Sequence, residues 1–218
     1  MIHIKAVIFD LDNTLIDRRM AFLRFCEYLF QQYAPQYPYH GTKEELLQYM
    51  IEIDGDGYGG VPNFVPRLKG RWNLPHTPES FEAERNRVFG DFTQPMPKLH
   101  EVLEELKKKY KLGIITNGFS KVQRRKISLV GIEDYFETII ISQEEKMEKP
   151  DARIFLAACE QLGISPPEAV YVGDYYPNDI AGAMSAHLIP IWITDNREEH
   201  PEYSGIRIKE LQEILQIM

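Results

Sequence analysis

Residues Ala6–Asp17 read AVIFDLDNTLID. Four apolar residues, Ala6, Val7, Ile8 and Phe9, run straight into Asp10, and a second carboxylate, Asp12, follows one residue later. The apolar run suits a buried central strand. In an extended chain alternate side chains share a face, which would point Asp10 and Asp12 the same way. Two like charges about 5 Å apart repel by about 3 kcal/mol at an effective dielectric near 20, so something is expected to offset them.

Working outward, helix-period and strand-like segments alternate from about Lys98 to the C-terminus, the pattern of a parallel sheet covered by helices. The stretch KLHEVLEELKKKY sets Leu99, Val102, Leu103, Leu106 and Tyr110 on one helical face, and KLGIITN follows as a buried strand. A helix over 120–129 precedes ETIIIS, one over 151–162 precedes AVYVGD, and one over 178–187 precedes LIPIWIT. With KAVIFD, five strands are predicted. The fold class is α/β: a Rossmann-like parallel sheet core flanked by helices. Residues 18–92 break the alternation, with several helical stretches and no convincing buried strand. They read as an inserted α-helical domain, leaving 1–17 and 93–218 as the core, and the proline-containing DFTQPMPKLH suits the return linker.

Composition narrows the function. The chain has 218 residues, 44% of them hydrophobic and 27% charged, which excludes long disorder. A net charge of −8 offers no electrostatic help for nucleic acid or an anionic membrane, so neither is expected as a partner. No apolar run reaches the roughly 20 residues of a membrane span, and the start of the chain is too short in apolar residues for a signal peptide. A cytoplasmic location is expected. Cys26 and Cys159 lie far apart in helix-like apolar surroundings and read as buried thiols. The oligomeric state stays open.

In open parallel α/β sheets, ligands bind beyond the carboxyl ends of the strands. The residues at those ends are Asp10, Asp12 and Thr14; Thr116, Asn117 and Gly118; and Gly173 and Asp174, with Asn178 and Asp179 opening the next helix. Lys149 precedes Pro150 at the start of another helix. Several carboxylates would repel one another and any anionic substrate, so a divalent cation completes the group, and oxygen ligands favour Mg²⁺. A ligand held between a metal, a lysine and helix N-terminal amides is a phosphate. The residues alone therefore point to metal-assisted phosphoryl chemistry.

DLDNT, TNG, KP and GDYYPND, in this order, resemble the four motifs of the haloacid dehalogenase-like hydrolase superfamily. The likeness covers the predicted core, and the insertion falls where that superfamily often carries a helical cap. The resemblance implies that Asp10 is a nucleophile forming an aspartyl-phosphate and that Asp12 is a general acid and then a base, its backbone carbonyl facing the metal. It implies that Asp10, Asp12 and Asp174 hold Mg²⁺ and that Asp179 positions a metal-bound water. Thr116, the amide of Asn117 and Lys149 would hold the phosphoryl oxygens. Metal contact should keep Asp10 ionised, while neighbouring negative charge should favour a protonated Asp12. The expected substrate is a small-molecule phosphate ester, with nucleotide and sugar-phosphate phosphatases the most similar relatives and a nucleoside monophosphate slightly preferred.

Competing readings are weaker. A phosphomutase of the same superfamily would need cap residues that the sequence does not identify, and a dehalogenase would typically lack the acid at Asp12. A phosphoacceptor signalling domain would place its aspartate after the third strand, yet ETIIIS ends without one, whereas a non-hydrolytic binding domain on the same scaffold stays open, because sequence does not show turnover. DGDGYGG over 54–60 has Val65 where a calcium loop needs its glutamate, so an inter-helix loop is expected. Arg18 and Arg19 read as a solvated linker pair. Arg67, Lys69, Arg71 and Trp72 read as a helix surface with one buried tryptophan. The six histidines show no metal-ligand spacing.

Overall fold

The computed structural model describes residues 3–194 and 200–218, which fall into two compact units, Met1–Asp17 with Pro95–Met218 and Arg18–Gln94. The first is built on β1 (Ala6–Phe9), β2 (Lys111–Thr116), β3 (Thr138–Ile141), β4 (Ala169–Gly173), β5 (Ile189–Ile193) and β6 (Ile206–Ile208). The strands lie in the order β3-β2-β1-β4-β5-β6, every neighbouring pair parallel. The α/β parallel-sheet expectation holds, with one strand more than the five predicted. The missed strand, β6, has three residues, of which only Ile208 is buried, so it lacks the apolar run that marked the others.

Both faces of the sheet are covered, and alternation sorts the strand residues between them. Val7, Phe9, Leu112, Ile114, Val170 and Val172 form one core with Leu99, Val102, Leu103 and Leu106, the predicted stripe of the helix Leu99–Lys107. Ala6, Ile8, Ile115, Ile140 and Tyr171 form the other with Ile154, Phe155, Ala158 and Leu162 of the helix Ala152–Leu162. The latter helix starts at Asp151, whose side chain accepts from the Arg153 N–H, and stops at Gly163, in the left-handed conformation. The chain runs from β1 outward to β3 and then returns to place β4 on the other side of β1. That reversal puts the topological switch point, and the crevice it creates, beside β1.

The second unit is helical: α1 (Arg18–Tyr33), α2 (Lys43–Asp54), α3 (Val61–Lys69) and α4 (Pro78–Val88). Thr42 and Thr77 close capping boxes at the starts of α2 and α4, and Gly55 ends α2 in the left-handed region. The core is aromatic, with Phe22, Phe25, Phe64, Trp72 and Phe81 buried together. Trp72 is the buried tryptophan expected, its Nε1 donating to the Tyr37 carbonyl at 2.7 Å. Arg18 is not solvated. Its guanidinium makes a buried two-pronged pair with Asp54, at 2.8 and 3.1 Å. Arg19 likewise meets Asp56 at 3.0 Å, so the glycine-rich loop is tied down by the two arginines read as linker. Sequence could not join these partners, because they lie 36 and 37 residues apart. Cys26 and Cys159 are free and buried, as expected.

Among the described residues, no helix is long and apolar enough to cross a membrane.

Candidate active site

β1 ends at Phe9, and the Asp10 N–H still donates to the Val172 carbonyl at 2.8 Å, which holds Asp10 in line with the end of β4. Beyond it the chain turns. Asn13 takes a positive φ of 59°, and its N–H and those of Leu15 and Ile16 are satisfied inside the turn. Asp10 and Asp12 therefore do not sit in one strand, and the like-charge pair expected from simple alternation is resolved by separate cationic partners.

Asp10 faces Lys149. The ammonium lies 2.5 Å from Asp10 Oδ1, 2.7 Å from Asp179 Oδ1 and 3.0 Å from the Tyr171 hydroxyl, all four side chains buried. The Tyr171 hydroxyl is also 3.0 Å from Asp179 Oδ1, and the Tyr175 N–H donates to Asp179 Oδ2 at 3.0 Å. Asp179 sits in a π-helical turn, Tyr176–Ile180, that follows β4. Gly173 makes this approach possible: a Cβ there would lie 2.5 Å from Asp179 Cβ and Cγ. Trp192 Nε1 donates to the Asp174 carbonyl at 2.8 Å and fixes the same loop from β5.

Carboxylate oxygens of Asp10, Asp174 and Asp179 all lie within 4.8 Å of one another. Three carboxylates against the single Lys149 ammonium leave a formal charge of −2 when all are ionised. An all-oxygen donor set with that deficit fits a hard divalent cation. Burial, opposed by the Lys149 ammonium and reinforced by Asp179, pushes the Asp10 carboxyl up to about 7. Burial alone would lower Lys149, but the charges of Asp10 and Asp179 outweigh it and raise the ammonium above the usual lysine range. Tyr171 is pushed well up by burial and then by the two aspartates, which keeps its hydroxyl protonated.

Asp12 lies in a second network. Lys126 reaches both its oxygens at 2.8 Å, and Gln123 Nε2 reaches Oδ2 at 2.9 Å and Thr116 Oγ1 at 2.6 Å. These residues belong to the helix Ser120–Leu129, which begins directly after the Thr116–Gly118 turn. Asp12 thus accepts from two side chains of that helix, Gln123 and Lys126. Asn117 is bound into the scaffold: its Nδ2 donates to the Lys149 carbonyl at 3.0 Å and its Oδ1 accepts from the Lys149 N–H at 2.9 Å. Thus the turn after β2 and the lysine after β3 are joined by one reciprocal pair.

Gln123, Lys126 and Tyr171 were not anticipated. A signal existed for the first two, since they share helical spacing with Ile127 and Val130 and so lie on the apolar side of their helix. Tyr171 is the one hydroxyl in an otherwise apolar strand, two residues before Gly173.

An open parallel sheet that gathers three carboxylates and a buried lysine at its switch point belongs to the α/β class that binds ligands at the carboxyl ends of its strands. The family model described as haloacid dehalogenase-like hydrolase matches residues 7–193, and the chain belongs to that family. It is 30% identical to a glyceraldehyde 3-phosphate phosphatase of Methanothermobacter thermautotrophicus, over 98% of each chain. It is 28% identical to the human N-acylneuraminate-9-phosphatase, over 98% of this chain and 94% of that one. A crystal structure of a HAD phosphatase from Thermococcus onnurineus superposes with a TM-score of 0.68 at 27% identity, covering 98% of this chain and 97% of that one.

Proposed function

We propose that the protein is a Mg²⁺-dependent phosphatase that hydrolyses a small phosphate monoester, a sugar phosphate or a nucleoside monophosphate, through an aspartyl-phosphate on Asp10. The observation that carries this reading is the buried Asp10–Lys149–Asp179 cluster with Asp174 beside it. Two relatives that each match 98% of the chain are named as phosphatases of small phosphate esters, which supports the substrate class.

Asp10, Asp174 and the Asp12 backbone carbonyl would hold Mg²⁺, with Asp179 positioning a bound water. Bound there, the cation would offset the carboxylate charge and polarise the phosphoryl group. An Asp10 oxygen forms the new bond to phosphorus as the ester P–O bond breaks, and its electron pair stays on the departing oxygen. Asp12 gives that oxygen a proton and then takes one from the water that attacks the phosphoenzyme, which returns Asp10 and releases phosphate. Lys149, the Thr116 hydroxyl and the Asn117 main-chain amide bind the phosphoryl oxygens as charge moves onto them. Lys149 is preset for this by its bonds to Asp10 and Asp179, and costs little reorganisation when substrate arrives. Substrate choice is assigned to the helical insertion, in the manner of a cap.

Hydrolysis of an aryl phosphate with and without Mg²⁺ tests the reading. Wild type should turn over only with the metal, and Asp10→Asn should be inactive; metal-independent turnover, or an active Asp10→Asn, would reject it. A panel of sugar phosphates and nucleoside monophosphates then separates the two substrate classes.

A further inference from the structure

Lys126 is a buried ammonium outside the carboxylate trio, and burying a charge is costly unless it is paired. Its Nζ lies 2.8 Å from both oxygens of Asp12, and the Gln123 amide adds a second donor at 2.9 Å on Oδ2. A carboxylate held at both oxygens has lost its freedom to rotate. Gln123 Nε2 is at the same time 2.6 Å from Thr116 Oγ1, so one amide spans the proton-transfer residue and the phosphate-binding turn. The turn is shaped to admit it. Gly118 has φ +146°, and a Cβ there would lie 3.1 Å from Gln123 Cδ.

We infer that Lys126 and Gln123 are positioning residues that hold the Asp12 carboxyl group in register with the phosphoryl site and so set its reach to the leaving oxygen. This rests on the phosphatase reading, in which the P–O(ester) bond breaks, its electron pair goes to the ester oxygen, and Asp12 supplies the proton that makes it an alcohol. Neither residue touches substrate. Gln123, which also bonds Thr116, acts on the phosphate-binding turn as well, while the effect of Lys126 on Asp12 depends on how much the leaving group needs a proton. An alkoxide needs one; a nitrophenolate departs without it.

The test compares kcat/KM, which reports steps up to the phosphoenzyme, for a primary alkyl phosphate and for nitrophenyl phosphate in Mg²⁺-loaded protein. Lys126→Met should lose on the order of 100-fold on the alkyl ester, within the range for general acid catalysis, and only a few-fold on the nitrophenyl ester. Gln123→Leu should show a smaller asymmetry on top of a loss shared by both esters, since its amide also bonds Thr116, and Lys126→Arg, which keeps the charge and a fork of donors, should restore part of the alkyl activity. Circular dichroism checks folding; if Lys126→Met does not fold, Gln123→Leu and Lys126→Arg carry the comparison. Equal losses on both esters, or full alkyl activity in the folded variants, overturn the positioning role. Wild type that hydrolyses neither ester overturns the phosphatase reading instead, so the two failures are told apart.

Discussion

Replacing Asp10 by Asn should change how the stability of the metal-free protein depends on pH. Burial carries the Asp10 carboxyl from its ordinary 3.8 to about 7, against the pull of Lys149. Between about pH 4 and pH 7 the folded protein therefore keeps a proton that the unfolded chain has released, and stability falls as pH rises through this window. At about 1.4 kcal/mol per pH unit, the loss reaches about 4 kcal/mol by neutral pH. The raised Lys149 acts elsewhere: its favourable contribution is complete below the ordinary lysine range near 10.4 and is lost only above it. Asn carries no such proton, so Asp10→Asn should show a profile flatter by about that amount, and the variant should gain on wild type as pH rises. Urea unfolding in the presence of chelator, from about pH 4 to pH 8, reads this directly. Saturating Mg²⁺ should flatten the wild-type profile too, because binding to ionised carboxylates offsets the cost of ionising them. Parallel profiles for wild type and Asp10→Asn in chelator would refute the reasoning.

Three further changes test other parts of the molecule. Lys149→Met should lower kcat by about 100- to 1,000-fold, the scale for removing one preorganised donor, and should raise the KM for the ester; a loss of less than about ten-fold would remove Lys149 from the phosphoryl site. Gly173→Ala should displace Asp179, since the new methyl would lie 2.5 Å from its Cβ and Cγ, and a Mg²⁺ titration should show weaker binding. Arg18→Met should cost about 3–5 kcal/mol in urea unfolding by stranding the buried Asp54 carboxylate, and adding Asp54→Leu should recover much of that loss. Additive losses in the double variant would mean that the pair is not the source.

The fold was legible where each element carried its own signal. The strand AVIF, the stripe from Leu99 to Leu106 and the Asp151-to-Gly163 helix are set by nearby residues, and local pattern found them. β6 was missed because two of its three residues are exposed and its place is fixed by pairing with β5. At the site, residues on strand ends could be gathered, because parallel topology brings such ends together whatever loops lie between. Side-chain pairing was not legible in that way. Lys149 meets Asp10 across 139 residues and Asp12 meets Lys126 across 114, and nothing local encodes either choice. Strand alternation alone does not extend to Asp10 and Asp12, because the strand ends at Phe9 and the chain then turns at Asn13. Lys126 and Gln123 were passed over because polar side chains on a helix are usually solvated, although their spacing with Ile127 marked the buried side.

The role of Asp10 as nucleophile is tested most directly by trapping the phosphoenzyme. Wild type turning over a phosphorus-labelled ester with Mg²⁺ is quenched rapidly in acid, digested and mapped. Label on the peptide that contains Asp10, absent in Asp10→Asn and lost when unlabelled ester is added before the quench, is the expected result. Label on another peptide, or steady turnover by Asp10→Asn, would contradict it.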